Sequence, residues 1–71
     1  MNITLSEKYD FCGVKDIYNN NFKIGDVLKT ENIYTIRVSK ITNSNQRIYT
    51  QIETTNEEMI IQIIRNFLNQ H

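Results

Sequence analysis

The chain has 71 residues, with eight Lys and Arg against eight Asp and Glu, so its formal net charge is zero. That length supports one domain, since a separate core normally needs on the order of 100 residues, and a single cysteine excludes a disulfide framework or a multi-Cys zinc site. Charge neutrality argues against a histone-like coater of nucleic acid and equally against a wholly acidic DNA mimic.

Residues 1 to 20 fit two patterns. Thr4 and Glu7 have capping-box spacing, and Phe11, Val14, Ile17 and Tyr18 follow a helical stripe. Ile3, Leu5, Tyr9 and Phe11 also alternate as in a strand, interrupted only at Glu7. The capping spacing favours one or two helical turns, with Gly13 placed to end a first helix. Asn19-Asn20-Asn21 is a loop on either reading.

Residues 21 to 31 predict a short strand in which Phe22 and Ile24 alternate, Gly25-Asp26 marks a bulge or tight turn, and Val27-Leu28 resumes. The run from Phe22 to Leu28 resembles the opening strand of small SH3-like barrels. Residues 32 to 53 predict a β-hairpin: Tyr34, Ile36 and Val38 alternate with polar residues, as do Ile48, Thr50 and Ile52. Both inward sets are even-numbered, so facing partners must sum to an even number, which a two-residue turn at Ser44-Asn45 cannot satisfy. A three-residue loop, Asn43-Ser44-Asn45, pairs Val38 with Thr50 and Ile36 with Ile52, with Asn45 in the left-handed position. Ile41 then lies on the polar face, either bent round by twist or part of a contact surface.

Residues 54 to 71 predict a helix. Thr55 and Glu58 form a capping box, Glu57 and Glu58 sit in the first turn, and Ile60, Ile63, Ile64, Phe67 and Leu68 make the apolar stripe. Met59 and Ile61 widen that stripe, which suggests burial on two sides. The expected fold is therefore a single α+β domain over residues 1–71, of order αβββα: a three-stranded antiparallel sheet packed by the C-terminal helix, with a short N-terminal helix.

Catalytic groups are sparse. Cys12 is the one sulfur nucleophile, and the only histidine, the last residue His71, offers it no fixed base. Glu57 and Glu58 point about 100° apart on a helix and cannot share a substrate. Gly13 and Gly25 are isolated, so no phosphate-cradling loop exists. The expectation is a non-enzymatic protein with no metal and no cofactor. With no apolar run near the ~18 residues of a membrane span and no basic-then-apolar leader, it is expected in the cytoplasm, without a membrane partner.

One charge asymmetry stands out. From Asn32 to Ile52 there is no acidic residue, while Arg37, Lys40 and Arg47 all lie there. In the hairpin register Arg37 and Arg47 share the outward face with Tyr49 and Gln51, and Asn43 and Asn45 sit at the tip. These seven residues, Arg37, Tyr49, Arg47, Lys40, Gln51, Asn43 and Asn45, are the candidate partner-binding set, because Tyr and Arg anchor most protein interfaces. Tyr9, Phe11, Ile17, Tyr18, Phe22, Ile41 and Tyr49 also exceed what one helix and three strands can cover. Either they form an interface, or the N-terminal segment folds over them.

Ile occurs 12 times and Asn 10 times, the balance that AT-rich coding DNA of low-GC bacteria and their phages produces. From residue 33 to 68 the chain runs through a strand with Ile36-Arg37-Val38, an Asn-rich turn, a second strand, then Asn56-Glu57 opening an Ile-rich helix closed by Phe67. In this it resembles the small anti-CRISPR proteins of phages and mobile elements, especially Cas9 inhibitors. The resemblance implies an inhibitor that occupies a nucleic-acid-binding surface of a CRISPR effector in the host bacterial cell. The acid-free hairpin departs from the many carboxylates that such inhibitors present in imitation of DNA. A nucleic-acid-binding regulatory domain using the basic hairpin is the second expectation, and a homodimer through the wide helix the third.

Overall fold

The computed structural model describes residues 1–70; the expectation for His71 lies outside the described residues. Five antiparallel strands form one meander: β1 (Ile3–Leu5), β2 (Val14–Asn19), β3 (Phe22–Thr30), β4 (Ile33–Ile41) and β5 (Arg47–Thr54), in spatial order β1-β2-β3-β4-β5. A 3-10 turn over Glu57–Met59 leads into α1 (Ile60–Asn69), which crosses one face of the sheet against β4 and β1.

The hairpin reading holds in register. Val38 pairs with Thr50 and Ile36 with Ile52, and Asn45 takes φ 65° in the loop that the Thr42–Gln46 pair closes. Even-numbered side chains of β4 point beneath the helix: Ile36 is fully buried and Val38 nearly so.

The expected three-stranded sheet and N-terminal helix are wrong: the N-terminal segment supplies two further strands. Ile3 and Leu5 of β1 face Asn19 and Ile17 of β2, so Ile3, Leu5 and Ile17 share the helix-covered face, while Val14, Asp16 and Tyr18 point away. The helical stripe of Phe11, Val14, Ile17 and Tyr18 does not exist, and Phe11 is fully exposed. Non-local packing overrode the local capping signal: as strands, β1 and β2 bury Ile3 and Ile17 in the core beneath α1. Asp10 accepts from the backbone N–H of Cys12 (2.8 Å) and Val14 (3.0 Å), shaping the turn into β2. Gly13 follows at φ 80°, where a Cβ would sit 2.8 Å from the Lys29 carbonyl oxygen.

Asn20 and Asn21, both with positive φ, make the two-residue β2–β3 turn. The expected break at Gly25-Asp26 is a bulge within an unbroken strand. Ile17 faces Gly25 and Tyr18 faces Lys23, leaving Ile24 as the extra residue. The segment is the third strand of an open meander and not the first strand of a barrel.

The core joins Ile3, Ile17, Val27, Ile36 and Val38 of the sheet to Ile60, Ile64 and Phe67 of α1. The helix starts one residue later than expected: Asn56, not Thr55, is the cap, its Oδ1 accepting from Glu58 N–H at 3.1 Å. The width of the apolar stripe reflects one buried side and not two. Ile61, Ile63 and Leu68 pack around the core margin, Met59 is largely exposed, and Gln62, Arg65, Asn66 and Asn69 face outward. That polar back gives the helix no second apolar face for a symmetry mate.

Candidate functional site

With α1 on one side, the other face of the sheet carries no layer. Directly opposed residues of an antiparallel pair share a face, so the ladder places Asp16, Asp26, Arg37 and Gln51 in one row across β2 to β5. Beside it lie Ser39 with Tyr49 and Ile41 with Arg47. Asp26, Arg37, Ser39, Tyr49 and Gln51 rim a hollow of about 470 Å³ whose lining includes Gly25, Val38 and Thr50. The bulge residue Ile24 and the bare Gly25 lie in its wall. A Cβ at Gly25 would collide with the Arg37 carbonyl oxygen, so β3 and β4 approach as they do only because none is there.

Six of the seven candidate residues lie where the hairpin pattern puts them. Arg37, Tyr49 and Gln51 line the hollow, and Tyr49 is 75% exposed. Arg37 Nε donates to Asp26 Oδ1 at 2.7 Å. Arg47 Nη1 donates to Ser39 Oγ at 3.0 Å, and that hydroxyl donates to the bulge carbonyl of Ile24 at 3.4 Å. Each guanidinium is thus held in one orientation with further N–H donors free. Asn45 and Asn43 are exposed in the hairpin loop. Asn45 serves the turn itself, its N–H bonding Thr42 O at 2.9 Å.

Lys40 is a correction. As an even-numbered residue it lies on the helix side, where its ammonium donates to the carbonyls of Phe67 and Gln70, both at 2.6 Å, and lies 4.7 Å from the Phe67 ring centroid. It caps the negative end of the helix dipole, and its charge is remote from the open face.

The basic character of that face is a second correction. The acid-free stretch of β4 and β5 lies beside strands that are not acid-free. Three carboxylates, Asp16, Asp26 and Glu53, share the face with three cations, Lys23, Arg37 and Arg47. Lys23 pairs with Asp16 at 3.1 Å, and this hydrogen bond, reinforced by the charge of Asp16, raises the lysine pKa above its usual value. Sequence distance concealed these acids, because Asp16 and Asp26 reach the hairpin face only through the β2 and β3 pairings.

Of the surplus apolar residues, Ile17 and Tyr9 are absorbed by the extra strands and the loop before β2, and Tyr18 is half-buried in β2. Tyr9 packs near Tyr34 with ring centroids 6.3 Å apart, and the ammonium groups of Lys15 and Lys29 lie 4.6 and 5.6 Å from its ring. Phe11, Phe22, Ile41 and Tyr49 remain exposed. Cys12 is exposed in the β1–β2 loop. Among the described residues no three His, Cys, Asp or Glu side chains converge as a metal site, and no helix is long and apolar enough to cross a membrane. No family model, curated protein or solved structure matches the chain.

Proposed function

We propose that this chain is a non-enzymatic protein-binding inhibitor that acts by laying the open face of its sheet on a partner, with a CRISPR effector as the target class. The observation that carries the binding reading is Arg37 and Tyr49 at the rim of a hollow on a sheet face that no layer covers, with Arg47 held beside it by Ser39. Tyr and Arg are the side chains on which interface energy concentrates. Holding both guanidiniums in place before binding lowers the entropy cost of association, and a hollow beside Tyr49 can receive one projecting partner side chain. The target class rests on the resemblance of residues 33–68, whose strand, turn, strand and helix order the fold retains. Electroneutrality of the face weighs against DNA mimicry and against a phosphate footprint.

Target-DNA cleavage by a panel of purified CRISPR effectors from low-GC bacteria tests this. The wild-type chain should inhibit at least one, and Arg37→Ala with Tyr49→Ala should abolish inhibition while leaving the melting temperature within a few degrees. Truncating two such anchors costs about 2–4 kcal/mol each. Undiminished inhibition by the double variant rejects the face, and no inhibition across the panel rejects the target class.

A further inference from the structure

We propose that the free edge of β5 pairs antiparallel with β5 of a second copy, about a two-fold axis through Thr50, joining both sheets into one. β5 runs eight residues and pairs only with β4. It carries none of the devices that blunt an edge: no proline, no lysine and no bulge, with charges only at Arg47 and Glu53 near its ends. The opposite edge, β1, is three residues long, too short to act as such a template.

The ladder shows which groups are free. Thr42 N–H donates to Gln46 O at 2.8 Å, and hydrogen-bonded pairs alternate from there. The even-numbered residues of β5 therefore turn their backbone groups to β4, and Arg47, Tyr49, Gln51 and Glu53 turn theirs outward. Two such edges can bond only by matching odd with odd.

Centring on Thr50 sets Arg47 opposite Glu53 of the second copy, and Tyr49 opposite Gln51, each twice by symmetry. On the helix side it sets Ile48, 42% exposed, against Ile52 in the non-hydrogen-bonded sites where side chains approach most closely. Shifting the centre to Tyr49 or to Gln51 leaves Glu53 opposite Asn45 or Arg47 opposite Thr55, and neither register pairs the charges. Only the Thr50-centred register is complementary in charge, apolar contact and backbone groups together. Arg47 retains donors for Glu53 beyond the one that Ser39 accepts.

Sedimentation equilibrium of the whole chain over a range of concentrations reads the proposal. The wild type should be a dimer that dissociates on dilution. Gln51→Pro removes an outward N–H while leaving the β4 ladder whole, and should be monomeric with an unchanged circular dichroism spectrum. Should that variant misfold, charge reversal gives the same information: Arg47→Glu should weaken the dimer about tenfold, and Arg47→Glu with Glu53→Arg should restore it. Arg37→Ala, one strand inward, should leave the dimer unmoved even if it ends partner inhibition, which separates this proposal from the open-face reading. A wild-type chain that stays monomeric up to about 1 mM, or a dimer indifferent to charge reversal, overturns it. So does protection of the Tyr49 and Gln51 amides that appears only when another protein is added to a monomeric chain, which would mean strand addition by a partner.

Discussion

Gly25 governs the open face more than any residue that touches it. Its missing side chain lets the Arg37 carbonyl approach β3, and so sets where Arg37 stands against Asp26. Gly25→Ala must push β3 and β4 apart against backbone rather than against a flexible side chain. It is expected to cost about 1–3 kcal/mol in urea unfolding and to loosen the Arg37–Asp26 pair. Tyr9 is the second residue whose setting predicts a measurement. Burial, then the hydrogen bond from its hydroxyl to Glu57 Oε2 at 3.1 Å, then the charge of Glu57 push its pKa from 10.0 up to about 12. The folded phenol thus keeps its proton where the unfolded one has lost it. The stability that Tyr9 contributes is complete below pH 10 and is lost as pH rises from 10 towards 12. The difference between ultraviolet titrations of the wild type and Tyr9→Phe should be a late step, which Glu57→Gln moves to lower pH.

At the scale of elements, the hairpin and the helix were legible and the N-terminal strands were not. Strict alternation over Tyr34–Val38 and Ile48–Ile52, together with the parity of the two inward sets, settles a register from local information. The stripe of α1 is as local. β1 is three residues long, too short for a periodicity signal, and β2 contains Lys15 on the covered side, which blurs its alternation. Their existence depends on Ile3 and Ile17 reaching the core beneath α1. Lys40 shows the same limit: its charge reads as surface until the helix C-terminus is placed above it. Lys40→Met, which keeps the stem and deletes the ammonium, is expected to cost about 1–2 kcal/mol. Amide exchange should locate that loss in the last turn of α1.

For the whole molecule, charge is the quantity that tertiary structure redistributed. Three cations and three carboxylates share the open face, so the phosphate-binding reading lost its electrostatic basis once β2 and β3 were in place. Fluorescence titration against single-stranded RNA and duplex DNA at low salt should show no binding. Binding with a steep salt dependence would restore the nucleic-acid reading.

Alternation, parity and a helical stripe need only neighbours in sequence, so the chain by itself determined the β4–β5 hairpin, its register, its Asn45 turn and the final helix. The conversion of residues 1–20 into two strands, the bulge and close approach at Gly25, the docking of the Lys40 ammonium on the end of α1 and the neutral open face were decided only by assembly. Each of them depends on backbone groups or charges far apart in the chain, whose meeting no local pattern encodes.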